Sequence, residues 1–248
     1  MRLAALVFAA ALLLLPLPLA AQTAQGEVVE REAVLDAFKQ LVDRGAARAL
    51  FGLPETTFWR RESALAVALL ADDAEALRPV LEDAAAPFAA ASDREVTIVD
   101  SGPAEIAGRS PENLAPEAGL VIVIAPRLAL ARFAADNDFN RGMLAQFELG
   151  AWPFMFDFEA GERRRGIVLL GDDEPARARE ASFILATVWA LGGVTLGPEL
   201  EGLVSDSAEG PQLTPLGEAV FRLFFHEGLE VGMPIPEAVQ RADTLLPR

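Results

Sequence analysis

The chain has 248 residues, with 37 Asp plus Glu against 21 Lys plus Arg and one histidine, a net charge of −16. A surface this acidic repels phosphate backbones and anionic lipid headgroups, which excludes nucleic acid as a partner. With no cysteine, disulfides and thiolate metal sites are excluded too.

Residues 1–24 read as a signal peptide. Arg2 is its positive start, residues 3–15 are unbroken apolar, and Pro16, Pro18 and small residues follow. The apolar run is shorter than the ~20 residues of a membrane-spanning helix. Cleavage is expected near Ala21 or Ala24, so the protein reads as exported, periplasmic and without a membrane span once processed. Residues 25–57 then hold an N-terminal helix and a connector. Its apolar stripe is Val34, Leu35, Phe38, Leu41 and Val42, at helical spacing. The connector runs over 51–61 (FGLPETTFWRR). From residue 58 to 248 the chain reads as one domain.

Residues 63–71 alternate Leu65, Val67 and Leu69 with alanine, a strand. Asp72 and Asp73 can cap a helix running to about Ala91, with a kink at Pro79. A second strand is EVTIVD at 95–100, followed by a loop rich in Pro, Gly and Asn. GLVIVIA at 119–125 is a continuous apolar run, so it reads as a strand covered on both faces. Residues 126–149 read as broken helical turns. A hairpin follows, with Trp152, Phe154, Phe156 and Phe158 on one face and Asp157 and Glu159 on the other; the arm from Arg164 returns.

Residues 176–193 (ARAREASFILATVWALGG) form the segment the domain is built around. From Ala181 to Leu191 only Ser182 and Thr187 are polar, and a helix apolar all round belongs in a core. Asp172 and Asp173 suit its cap, Pro175 its first turn and Gly192-Gly193 its end. Residues 194–212 read as a long loop. Thr214-Pro215 opens a helix to Glu227, and 234–246 forms the last helix. The fold class is α+β: a mixed sheet of about five strands packed on a buried central helix, with a helical C-terminal part.

The run ATVWALGG, the acidic loop and QLTPLGEAVFRLFFHEGLEVGMPIPEAV together resemble family 2927 of the domains of unknown function, which are exported bacterial proteins. The matching residues are Ala190-Leu191-Gly192, Leu213-Thr214, Arg222-Leu223, and Gly232-Met233 with Ala238. That family is distantly similar to zincin-type metallopeptidases, whose buried helix carries H-E-x-x-H: two histidines that bind zinc and a glutamate that activates water. The resemblance puts Leu185 and Trp189 at the ligand positions and Ala186 at the base. None of the three can hold zinc or move a proton. The likeness therefore implies a degenerate, non-catalytic zincin-like domain.

Other residues offer alternatives. His226, the only histidine, would need carboxylates to complete a zinc site, and its expected place in a last helical turn suits a dipole-facing cation. Asp136, Asp138 and Asn140 have the 1, 3, 5 spacing of a calcium loop, but Arg141 stands where glycine is needed and Phe147 where the bidentate acid is needed. Arg163-Arg164-Arg165 could take an anion, or pair with Glu159 and Glu162. Three functions follow from these residues. The first is a pseudo-peptidase that binds an envelope protein or peptide, with no cofactor. The second is a carboxylate hydrolase using Asp157, Glu159 or the acids of 199–206. The third is a calcium-stabilised structural protein.

Overall fold

Strand β3 (Leu120–Ala125) is buried at every position and supplies the centre of a five-stranded sheet. The computed structural model describes residues 29–43, 57–137, 154–159, 162–193, 200, 202–207 and 210–247, with the side chains of 154–164 and 206–207 left undescribed. Residues 1–24, read in the sequence as a signal peptide, lie outside these residues, as do Trp152, Asp138 and Asn140.

The strand order is β2 (Val96–Gly102), β1 (Leu65–Leu70), β3, β5 (Glu162–Gly171), β4 (Phe154–Glu159). The first four run parallel and β4 is antiparallel at one edge, so the sheet is mixed. Strict alternation along the strands divides two cores. Leu120, Ile122 and Ile124 of β3, with Val168 and Leu170 of β5, face one core. Val121, Val123, Ile167 and Leu169 face the other. A continuous hydrophobic run is what such two-sided burial requires.

Helix α1 (Arg31–Val42) precedes the sheet, and α2 (Ala74–Ser92) links β1 to β2. Pro79 and Pro87 both lie inside this single helical element. Pro79, Glu75 and Asp83 all sit on its exposed side, where water can reach the carbonyls that proline leaves without a donor. Helix α3 (Arg127–Asp136) places Leu130, Phe133 and Ala134 in the second core. Helix α4 (Ala176–Leu191) follows β5 and lies in the first, against α2.

Two boundaries differ from the sequence reading. The loop expected over 194–212 contains a separate hairpin, β6 (Val204–Ser207) with β7 (Gly210–Leu213), which raises the strand total above five. Gly210, at φ +104°, starts its return arm in a conformation that glycine adopts without penalty. Helix α5 (Pro215–Phe224) stops three residues short of Glu227, with Phe225 as its C-cap. Its start agrees with expectation: Thr214 Oγ1 accepts the Gly217 N–H at 3.0 Å. Helix α6 (Ile235–Leu245) closes the chain. Helix α1 buries Val34, Phe38, Leu41 and Val42 against α5 and α6, and Phe38, Phe58 and Phe224 meet at ring-centroid distances of 5.3–6.5 Å. Among the described residues no helix is long and apolar enough to cross a membrane.

Candidate functional site

Helix α4 is where chemistry would be expected, and it is filled with hydrocarbon. Every residue from Ser182 to Leu191 is buried. Leu185 is 7% exposed, and Ala186 and Trp189 are at 0%. The two hydroxyls on this stretch turn back onto the helix: Ser182 donates to the Ala178 carbonyl and Thr187 to the Phe183 carbonyl, each at 2.9 Å. Intrahelical bonds of that kind satisfy a small polar group inside an apolar environment and leave nothing to offer a ligand.

The end of α4 is held by a segment that reads in sequence only as a connector. Residues 57–61 cross the end of α4 as a strap. The Arg61 N–H donates to the Leu191 carbonyl at 2.9 Å, and the guanidinium Nε donates to the Ala190 carbonyl at 3.1 Å. The neighbouring Arg60 does the same for α5: its Nη1 donates to the carbonyls of Phe224 (3.1 Å) and His226 (2.7 Å). Both arginines are buried, at 5% and 6% exposure. Each places a cation at the negative end of a helix, where unsatisfied carbonyls collect. Burial pulls the Arg60 guanidinium below its usual pKa, Glu62 opposes that shift, and Arg94 adds to it. Phe58 and Met233 carry the strap onward through a backbone bond of 2.7 Å. Replacing Arg60 by methionine should therefore lower stability by about 1–3 kcal/mol, because two carbonyls lose their donor. A denaturant melt indistinguishable from wild type would contradict that role. The only local sign of this strap is two adjacent arginines directly after Phe58-Trp59.

His226 is exposed and lies beyond the end of α5, not in its last turn. The early stop at Phe224 accounts for the shift. Its Nδ1 accepts the Gly228 N–H at 2.9 Å, so one ring nitrogen serves a turn.

The carboxyl ends of the parallel strands are the usual ligand crevice of an α/β sheet. Here that rim is acidic and matched by arginines. Asp173 accepts Arg127 Nε at 2.9 Å, Glu174 pairs with Arg127 Nη2, and Asp73 stands 3.6 Å from Arg179 Nη1. Asp173 and its neighbour Asp172 were expected to cap α4. Pro175 is the N-cap instead, no side chain caps it, and the Asp172 carbonyl receives Arg179 at 3.1 Å. The hydrogen bond to Asp173 keeps the Arg127 guanidinium charged to still higher pH than usual.

Of the calcium-loop residues, Asp136 is exposed at the last position of α3, and Asp138 and Asn140 fall outside the described residues. The side chains of Glu159 and Glu162, offered in the sequence as partners of the arginine run, lie outside those described, while Arg165 is described. Arg165 donates to the carbonyls of Glu112 and Ala115, each at 2.9 Å, and ties the 111–115 turn to β5. Among the described residues no three histidines, aspartates or glutamates come together as metal ligands. Asp157 and Glu159 lie on β4, opposite Arg165 and Glu162 in the ladder.

The two sheet edges are unequal. On β2, Ile98 pairs with Val67 and Asp100 with Ala68, which leaves Val99 bulged out and 50% exposed. A bulge of this kind spoils an edge for further pairing. Residues 154–159 of β4 carry no such interruption, because the ladder slips on the β5 side, past Arg164. Among the described residues no strand pairs with the outer side of β4. Comparison of the chain with protein-family models, with curated proteins and with solved structures gives no match.

Proposed function

We propose that this chain is an exported, non-catalytic domain of zincin-like descent that binds an extended stretch of an envelope protein or peptide. The observation that carries this reading is the interior of α4. The positions that the family 2927 resemblance aligns with zinc ligands and general base hold Leu185, Trp189 and Ala186, all packed as core. A mixed sheet with its buried helix directly after β5 accords with the zincin likeness. Hydrolysis by paired carboxylates finds little support at the strand ends, where Asp73, Asp173 and Glu174 are each engaged by arginine.

The binding surface in this reading is the outer edge of β4. An antiparallel edge strand offers unpaired N–H and C=O groups to an incoming segment, which then adds as a further strand. Asp157 and Glu159 hold register positions on β4, in a chain of net charge −16. Two copies of so acidic a chain repel each other, so the occupant in this reading is a basic extended segment rather than a second copy. A short alternating lysine–valine peptide is the probe. It should slow hydrogen exchange of the β4 amides, and Asp157→Lys with Glu159→Lys should weaken its binding by roughly tenfold, ~1.4 kcal/mol. Protection confined to other elements, or affinity untouched by the charge reversal, would remove β4 as the site.

A further inference from the structure

We draw no further inference here: the strongest candidate, the open cleft of about 370 Å³ between α2, β7 and α5 lined by Pro87, Ala91, Leu213, Glu218 and Arg222, carries nothing because Glu218 and Arg222 pair with each other at 3.6 Å and nothing in the structure shows what covers it.

Discussion

Trp189→Ala is expected to cost about 3–5 kcal/mol of folding stability and Leu185→Ala about 2–5. Both side chains sit in the first core, Trp189 with no exposure and Leu185 at 7%. Truncation removes buried hydrocarbon and leaves a cavity that a helix locked between sheet and α2 cannot collapse to fill. A ligand-lining role gives the opposite outcome. A side chain bordering an open cleft makes few contacts, and its loss would stay within about 0.5 kcal/mol of wild type. Denaturant melts of the two single variants separate the cases, and near-neutral values for both would end the reading of α4 as core.

Gly192→Ala should be comparably damaging, at about 2–5 kcal/mol, for two independent reasons. The backbone there has φ +122°, a conformation that L side chains rarely adopt. A Cβ at this position would also stand 2.7 Å from the Arg60 Cα and 2.8 Å from the Trp59 carbonyl oxygen. Those are backbone atoms of the strap, so they cannot swing aside as a flexible side chain would. The strap must lift, and with it the bonds from Arg61 to Leu191 and Ala190. Wild-type melting of Gly192→Ala would show that the strap does not bear on the end of α4.

The elements that were legible in the sequence are those whose burial leaves a period. β3 reads as a two-sided strand because all six of its residues are buried, and α4 as core because it is apolar all round. The β4–β5 hairpin is legible in the alternation of Phe154, Phe156 and Phe158 with Asp157 and Glu159. What was not legible depends on partners distant in the chain. Asp172 and Asp173 look like caps locally, yet Arg127 lies 46 residues before Asp173 and draws its carboxylate away. Arg60 and Arg61 read only as part of a connector, and their partners are carbonyls at or just past helix ends, 129–166 residues later. The β6–β7 hairpin lies in a stretch whose Gly-Pro pairs and acids suggest loop; its strands have only four residues each. His226 was placed in a last helical turn because the helix reads on to Glu227, whereas its C-cap is Phe225.

Zinc content bears most directly on the proposed loss of catalysis. A catalytic zinc needs three protein ligands, usually histidines, with carboxylates or thiolates making up the number. The chain has no thiolate and one imidazole. The imidazole belongs to His226, beyond α5, with its Nδ1 accepting the Gly228 N–H, while Leu185, Ala186 and Trp189 are buried hydrocarbon on α4. Elemental analysis of the purified mature protein after gel filtration in metal-free buffer should give less than about 0.1 equivalent of zinc, and chelator should leave the melting temperature unchanged. Near-stoichiometric zinc that disappears in His226→Ala would contradict the pseudo-peptidase reading.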